Sequence, residues 1–405
     1  MTITRRTALG GLAAATLTAC APTVAPVARG PSMRPVENPG WSAWAEAFQG
    51  RARGRGISQD VIDAAFRGAG YLPGVIERDR AQTEFTRSFE DYLAIAASDE
   101  RVSRGRAGLR GRQGTLSQIE ARYGVPAEVI TAIWGLESFY GDRRGDIPVV
   151  SATSTLAYDG RRGAFFESQL TAALRILQSG DTTPDRLVGS WAGAMGHTQF
   201  IPTSYLAYAV DFTGDGRRDI WGADPTDALA SAAAYLANSG WQRGVPWGVE
   251  VRLPAGYAGP VGRGTTRSAA AWRSLGIQPV RGAIPASSAL LAPAGRSGPG
   301  FLVTRNFQAI LRYNNAENYA LGIGHLSDRI GGAGPLAATF PPDRFGLTID
   351  DRKALQRGLN RAGYDAGTAD GVLGPQTEAA ILAYQRSNGL AATGQPSPAL
   401  LARLN

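Results

Sequence analysis

The sequence is poor in the residues that most transition-metal centres and many nucleophilic sites use. Cys20 is the only cysteine among 405 residues, so neither an intramolecular disulfide nor a cysteine-rich metal site is possible. His197 and His325 are the only histidines, too few for a histidine-rich metal site. Ser138 has no histidine in a recognisable triad arrangement, which disfavours serine-hydrolase chemistry.

The apolar run near the N-terminus is too short to span a bilayer. Arg5 and Arg6 precede small, apolar residues over 8–17, whereas a spanning helix needs about 20 apolar residues. The run therefore predicts a cleaved export signal over residues 1–19, and its arginine pair resembles a twin-arginine signal. The route of export stays open.

The signal ends in Leu-Thr-Ala-Cys, which resembles a bacterial lipobox whose cysteine, here Cys20, is lipidated. The alternative is a stray cysteine in a discarded leader. Lipidation would make the protein periplasmic and membrane-anchored, and Ala21 in place of an acidic residue favours the outer membrane. The Pro-rich stretch 20–40 predicts an extended tether.

Positive charge is spread along the chain instead of concentrated in one run. The formal net charge is +8, and removal of residues 1–19 takes away Arg5 and Arg6, which leaves 40 basic against 34 acidic residues, or +6. A nucleic-acid binder usually concentrates Lys and Arg on one face. The predicted partner is instead an acidic polymer outside the cytoplasm, and no nucleic acid.

Hydrophobic periodicity predicts a mainly α (α+β) protein. Residues 41–334 form the predicted main domain, 335–346 a linker and 347–405 a separate helical unit. Apolar residues recur at helical spacing over 58–67, 115–137, 164–178, 226–239 and 304–330. The stretch 246–300 is rich in Gly, Pro and Val, which predicts a small β-containing insert.

One carboxylate interrupts an apolar helix face. In a helix over 127–137, Ile130, Ile133, Trp134 and Glu137 fall at i, i+3, i+4 and i+7, so Glu137 continues the apolar stripe. Burial favours the neutral acid and raises its pKa, as it does for the buried catalytic glutamate of lysozyme. A raised pKa suits a general acid that works near neutral pH. The alternative is a structural ion pair with an arginine of the following loop, Arg143 or Arg144.

Several ordered motifs resemble the lytic murein transglycosylase B family, over about residues 41–333. They are Tyr123-Gly124-Val125-Pro126, Ile133-Trp134-Gly135-Leu136-Glu137-Ser138, Gly193-Ala194-Met195-Gly196, Gln199-Phe200-Ile201-Pro202 and Tyr208-Ala209-Val210-Asp211-Phe212. The resemblance implies a lysozyme-like catalytic domain that cleaves peptidoglycan glycan strands, with Glu137 as acid and base.

The resemblance also implies a set of substrate-binding residues. They are Tyr92, Ser190, Gln199 and Asn314 along the glycan groove, and Arg161 and Arg162 near the peptide stems. Asn314 also stands at i+7 from Phe307, as a polar tip on an apolar stripe. Its alternative is a helix-interior Asn that bonds to backbone, and the alternative for the arginine pair is a solvated turn. The role of His197 stays open, with a contact to sugar as one candidate. His325 is interpreted as an ordinary helix residue.

The motifs offer one carboxylate, whereas most glycosidases need two. Asp142 and Asp146 lie in a Gly- and Arg-rich loop that is predicted to be exposed. A lone acid suffices where the substrate supplies the nucleophile. The family implies that the 6-hydroxyl of N-acetylmuramic acid does so and leaves a 1,6-anhydro end. The rivals are a hydrolytic muramidase and a catalytically silent wall-binding scaffold.

Two further segments carry predictions. Over 347–405, the string Asp370-Gly371-Val372-Leu373-Gly374 followed by Thr377 resembles a peptidoglycan-binding module of three helices; the alternative is a generic helical cap. A second stretch has the spacing of a calcium loop, with candidate oxygen ligands at Asp211, Thr213, Asp215, the carbonyl of Arg217, and Asp227. Gly222 replaces the usual Glu, and the alternative is a tight Asp/Gly turn. No cofactor is needed for the chemistry, and protein partners are open.

Overall fold

The computed structural model describes residues 32–81 and 87–404. The predicted signal peptide, Cys20 and the first part of the predicted tether lie outside these ranges. Residues 32–38 do not form a free tether, because Val36 donates a backbone bond to Tyr71 at 2.9 Å and Gly74 donates one to Ser32 at 3.1 Å. Asn38 then caps the first helix by accepting from the Trp41 amide at 2.9 Å.

Helices build most of the chain before the sheet, as predicted. Within the described ranges they are α1 Pro39–Gly54, α2 Gln59–Phe66, α3 Pro73–Arg80, α4 Phe89–Ala96, α5 Asp99–Gly111, α6 Gln113–Tyr123, α7 Ala127–Ser138, α8 Val149–Asp159, α9 Gly163–Ser179, α10 Pro202–Tyr208 and α11 Thr226–Asn238. Between them, β1 Ile147–Pro148 pairs antiparallel with β2 Val188–Gly189. None of the helices in the part of the chain described here is long and apolar enough to cross a membrane.

Two predicted helices are each two helices in the structure. The prediction over 115–137 is wrong at Gly124, which takes a left-handed conformation with φ of 73° and ends α6. Pro126 then precedes α7, because proline favours the first positions of a helix and an extended residue before it. The prediction over 304–330 is likewise broken, between one helix over Arg305–Tyr313 and another over Glu317–Ile330.

The predicted insert is an antiparallel five-stranded sheet with one short helix. Its elements are β3 Gly248–Arg252, β4 Thr266–Ser268, α12 Ala269–Ser274, β5 Gln278–Pro279, β6 Ser287–Leu291 and β7 Gly300–Val303, and the strand order is β4-β6-β7-β3-β5. Leu302 of the central strand β7 is opposite Val249 of β3 on one side and Leu290 of β6 on the other. Trp272 is fully buried on one face of the sheet and donates to the Ser288 carbonyl at 3.0 Å.

The sheet is followed by α13 Arg305–Tyr313 and α14 Glu317–Ile330, which return to the helical domain. α14 packs on α7, α4 and α5, so it is the element that closes the core around the C-terminal half of α7. One apolar cluster joins α7, α11, α13 and α14 to the inner face of the sheet. A second cluster joins α1, α2, α9 and α10.

The predicted helical unit at the C-terminus is formed by α15 Ile349–Arg361, α16 Pro375–Ser387 and α17 Pro398–Leu404. Thr348 and Asp351 make a reciprocal capping box at the start of α15. The predicted linker is not free: Glu250 accepts from the Ala337 and Ala338 amides, each at 2.9 Å, and Phe340 packs on Phe89. The fold class predicted from the sequence is confirmed.

Candidate active site

Glu137 lies in the last turn of α7, a helix that is buried over most of its length. Nine of the twelve residues of α7 are buried, which follows from its nearly unbroken apolar sequence. Glu137 itself is only partly exposed, at the edge of this apolar face. Its carboxylate accepts a hydrogen bond from the Tyr319 hydroxyl at 2.6 Å. The predicted continuation of the apolar stripe is therefore what the structure shows.

Burial controls the ionisation of Glu137. The protein atoms that surround the carboxyl raise its pKa from 4.5 to about 7, and the hydrogen bond from Tyr319 lowers it by less. These are the only causes of the shift within the described ranges, so no second carboxylate and no guanidinium acts on Glu137. At neutral pH, a large share of the molecules therefore carries a protonated Glu137.

The alternative ion pair with Arg143 or Arg144 is wrong. Arg144 donates to the Trp221 and Gly222 carbonyls, each at 2.7 Å. The Arg143 guanidinium instead lies over the Phe139 ring, 4.7 Å from its centroid. Both arginines therefore point away from the acid, and burial is not compensated by a charge.

Three tyrosines surround Glu137, and only Tyr92 was predicted. Tyr92 comes from α4, Tyr319 from the start of α14 and Tyr313 from the end of α13. Burial, followed by the charge of Glu137, raises the pKa of all three phenols. The phenols therefore stay protonated, and the Tyr319 hydroxyl donates to Glu137 while the Tyr313 hydroxyl donates to the Thr198 carbonyl. Tyr319 stands on the apolar stripe of α14, where a tyrosine is ordinary, so its sequence position gave no signal that it contacts Glu137.

Ser190 and Gln199 shape the loop between β2 and α10. The Ser190 hydroxyl accepts from the Ala194 amide at 3.1 Å. Gln199 has a left-handed φ of 52°, uncommon for a residue with a side chain, and its amide donates to the Arg144 and Gly196 carbonyls at 3.0 and 2.9 Å. Both residues are partly exposed, so the predicted groove contact remains open to them.

His197 has a structural position and no exposed face for sugar. It is 4% exposed. Its Nδ1 accepts from the Trp134 indole N–H at 3.1 Å, and its Nε2 donates to the Gly222 carbonyl at 2.8 Å. Burial lowers the pKa of His197, so the ring is neutral at pH 7. It therefore joins α7 to the segment before α11. His325 is also buried, and burial lowers its pKa to about 4.

Asn314 is not a helix-interior residue. α13 ends at Tyr313, and Asn314 is the exposed C-cap with extended backbone. The i+7 relation to Phe307 is therefore wrong as a helical position, and so is the alternative of an Asn inside the helix. Asn314 stands directly after Tyr313, whose hydroxyl donates to the Thr198 carbonyl at 2.6 Å. Tyr313, and not Asn314, therefore contacts the loop that carries Gln199 in the described hydrogen bonds.

Arg161 and Arg162 are neither free nor in a merely solvated turn. Both donate to the carboxylate of Asp79 at 2.6 Å, and Asp79 is only 2% exposed. The two hydrogen bonds from these arginines hold the pKa of Asp79 below its usual value despite burial. The pair therefore fixes the turn before α9 to the end of α3.

The predicted calcium loop brings three carboxylates together. Oxygens of Asp211, Asp215 and Asp227 lie within 4.8 Å of one another. Asp227 is 2% exposed and accepts from three backbone amides, those of Phe212, Thr213 and Asp219. Oxygen-only ligands are those that Ca²⁺ prefers. The donor set therefore fits a calcium ion, and Thr213 and the Arg217 carbonyl belong to the same loop.

Comparisons with known proteins agree on one family. Residues 40–328 match the family described as transglycosylase SLT domain, and residues 348–404 match a peptidoglycan binding domain. The chain is 35% identical over 216 residues to the membrane-bound lytic murein transglycosylase B of Escherichia coli K12. That alignment covers 51% of this chain and 58% of the relative, so the chain spans less than two thirds of its length.

Solved structures extend the similarity. SltB3 from Pseudomonas aeruginosa, in complex with NAG-anhNAM-pentapeptide, is 46% identical with a TM-score of 0.73, over 91% of this chain and 100% of that one. The Escherichia coli lytic transglycosylase Slt35, solved in complex with calcium, is 27% identical with a TM-score of 0.62, over 76% of this chain and 98% of that one. The recognition made from the sequence motifs is confirmed.

Proposed function

Since this chain belongs to the transglycosylase SLT domain family, we propose that it is a peptidoglycan lytic transglycosylase. It cleaves the β-1,4 bond between N-acetylmuramic acid and N-acetylglucosamine. The observation that carries this proposal is a single carboxyl, Glu137, whose pKa burial raises to about 7 and which accepts a hydrogen bond from the Tyr319 hydroxyl. The similarity to a transglycosylase solved with an anhydromuramyl ligand supports the same reaction.

Glu137 acts first as an acid. Its proton passes to the glycosidic oxygen as the bond from the anomeric carbon of N-acetylmuramic acid breaks, and N-acetylglucosamine leaves as an alcohol. The carboxylate that results is held by the Tyr319 hydroxyl at 2.6 Å. A hydrogen bond to a carboxylate is stronger than one to a neutral carboxyl, so the Tyr319 bond strengthens as Glu137 loses its proton. This gain lowers the barrier to proton transfer.

Glu137 then acts as a base. It removes the proton of the 6-hydroxyl of the same N-acetylmuramic acid while that oxygen bonds to the anomeric carbon. The ring closes to a 1,6-anhydro sugar, Glu137 regains its proton, and no water is consumed. This route needs no second carboxylate, in agreement with the absence of any acid among the described residues that perturbs Glu137.

The mass of the sugar ends tests this route. Digestion of purified sacculi with the protein is expected to give muropeptides that end in 1,6-anhydro-N-acetylmuramic acid, one water lighter than hydrolysed ends. A reaction run in H₂¹⁸O should leave the new ends unlabelled. Reducing ends that carry ¹⁸O would identify a hydrolytic muramidase instead.

We also propose that the C-terminal module holds the enzyme on its polymer and that Cys20 anchors it by a lipid to the outer membrane, facing the periplasm. The match of residues 348–404 to a peptidoglycan binding domain supports the first part. Binding to the wall raises the local concentration of glycan without adding chemistry. Replacement of Cys20 by serine should move the protein from the membrane fraction to the soluble periplasmic fraction.

We further propose that the loop with Asp211, Asp215 and Asp227 binds a structural calcium ion. When bound, the ion would neutralise the crowded carboxylates and stiffen the connection between α10 and α11. Addition of CaCl₂ at 1,000 times the dissociation constant is expected to stabilise the fold by about 4 kcal/mol. Thermal unfolding with CaCl₂ or EDTA measures this effect.

Asp227→Asn should abolish the response to calcium, because Asp227 is the buried member of the set. Asp185→Asn is the control, since Asp185 is an exposed acid outside the loop. An unchanged melting temperature of the unmodified protein across calcium concentrations would favour the tight Asp/Gly turn.

A further inference from the structure

We propose that the turn after α7 forms a binding site for carboxylate groups of the substrate's peptide stems, with Arg143 as the main contact. The proposal rests on the proposed function, because it names a part of the substrate of that reaction. The site comprises Phe139, Arg101, Arg104 and Arg143, and it is called the arginine turn below. None of these residues takes part in the proton transfers at Glu137.

The backbone of the arginine turn is strained. Phe139 and Tyr140 have φ values of 53° and 60°, so two consecutive residues with large side chains take the left-handed conformation. This conformation is unfavourable for a residue with a Cβ, because the Cβ approaches the following carbonyl oxygen. Such strain persists only where other bonds impose it, and it concentrates at functional sites.

Several hydrogen bonds impose this conformation. The Arg143 amide donates to the Ser138 carbonyl at 2.8 Å, and the Tyr140 amide donates to the Trp134 carbonyl at 3.2 Å. The Tyr140 hydroxyl donates to the Arg101 carbonyl at 2.6 Å. A Cβ at Gly135 would lie 2.5 Å from the Tyr140 ring, so glycine in α7 allows the turn to fold back on the helix. These bonds hold Phe139 and Arg143 beside Ser138, the residue that follows Glu137.

This turn places three guanidinium groups on one aromatic ring. Arg101, Arg104 and Arg143 lie 5.1, 4.5 and 4.7 Å from the centroid of Phe139. Each cation is attracted by the ring, but the cations repel one another. The charge of Arg143 is among the causes that lower the pKa of Arg101, after burial. A bound anion would relieve this repulsion.

Only Arg143 has its guanidinium free for a ligand. Arg101 is 8% exposed and donates to the Gly135 and Ile95 carbonyls. Arg104 pairs with Asp142 at 2.5 Å. The guanidinium of Arg143 is exposed and, among the residues the structure describes, has neither an ion pair nor a hydrogen bond. The turn thus carries three cations and one carboxylate, and its unpaired cation faces solvent.

The chemistry of the ligand follows from this charge. A planar guanidinium binds a carboxylate through two parallel hydrogen bonds, and peptide stems are the part of peptidoglycan that carries carboxylates. The arginine pair for which the family resemblance implies this role, Arg161 and Arg162, is already engaged with the carboxylate of Asp79. Arg143 has no such partner and is therefore the stronger candidate for contact with a stem.

The test compares Arg143→Gln with the unmodified protein on two soluble substrates. One is glycan chains that carry peptide stems, and the other is the same chains after an amidase has removed the stems. The variant is expected to raise KM about tenfold on stem-bearing chains and to leave kcat and the stripped chains unchanged. Arg143→Lys should restore part of the affinity, because the charge returns without the planar fork.

Arg273→Gln is the matched control, since Arg273 is an exposed arginine on the insert. An equal loss on both substrates, or no loss on either, would overturn the proposal. If the unmodified protein cleaves neither substrate, the proposed function fails on its own. Binding of fluorescent stem-bearing chains, measured with Glu137→Gln alone and together with Arg143→Gln, then still decides whether the arginine turn is a stem site.

Discussion

Replacement of Glu137 by glutamine is expected to abolish digestion of peptidoglycan. Glutamine preserves the shape of the side chain but has no proton to give and cannot accept the one from the 6-hydroxyl. General acid–base catalysis by one group contributes about 10²–10⁴-fold, and here both steps depend on the same carboxyl. We therefore expect a fall in kcat of at least about a thousandfold, measured by release of soluble muropeptides from sacculi.

Glu128→Gln is the matched control, because Glu128 lies in the first turn of the same helix. It should keep full activity. Binding of Glu137→Gln to sacculi should be unchanged, since the C-terminal module is intact. If Glu137→Gln digests sacculi at the normal rate, the protein is better described as a wall-binding scaffold, with any activity arising elsewhere.

The same variant should also be more stable at alkaline pH. A carboxyl whose pKa is raised from 4.5 to about 7 binds its proton more tightly in the folded state. Its contribution is complete below pH 4.5 and is lost as pH rises towards 7, because the folded protein must then hold a buried charge. Glu137→Gln should therefore match the unmodified protein at pH 4 and exceed its free energy of unfolding by roughly 3 kcal/mol at pH 8.

Replacement of Arg352 by methionine is expected to loosen the C-terminal module from the catalytic domain. Arg352 of α15 is 3% exposed and forms ion pairs with Glu90 and Asp91 of α4 at 2.5 and 3.1 Å, and with Asp343 of the linker at 3.3 Å. Arg352 is the cation that pairs with these three acids within the described ranges, so its removal leaves crowded carboxylates, which costs about 3–5 kcal/mol. Thermal unfolding is expected to separate into two transitions, one for each domain.

The loss should grow with pH, since protonation relieves the repulsion among the three acids. Burial already raises the pKa of Glu90 in the presence of Arg352, so the variant should approach normal stability near pH 4. Activity is also expected to fall, because Tyr92 follows Glu90 and Asp91 on α4. Arg357→Met, an exposed position on α15, is the control. A single unfolding transition at the normal temperature for both variants would contradict the account.

The helices were predictable from the sequence because their signal is local. Helices predicted over 58–67, 164–178 and 226–239 agree within about one residue with α2, α9 and α11. The errors arose where apolar spacing runs through a break, as at Gly124. The strand order of the insert could not be predicted, because β4 pairs with β6 and β3 with β7 through contacts distant in the sequence.

The acid was predictable for the same reason, and its surroundings were not. Glu137 and the apolar residues that bury it share one helix. Tyr319, its hydrogen-bond partner, lies 182 residues away, and no spacing rule joins them. Arg161 and Arg162 form ion pairs with Asp79, whose position depends on the packing of α3 against α8. Residue type alone left their roles open, since an arginine serves equally well in a salt bridge or a binding site.

The proposed reaction depends on burial keeping a large share of Glu137 protonated near neutral pH. Selective ¹³C labelling of glutamate carboxyls allows the titration of Glu137 to be followed directly by NMR. The resonance that is absent from the spectrum of Glu137→Gln is that of Glu137. The account predicts a midpoint near pH 7. A midpoint near 4.5, the ordinary value for a glutamate, would mean that Glu137 is ionised throughout the working range and does not serve as the proton donor.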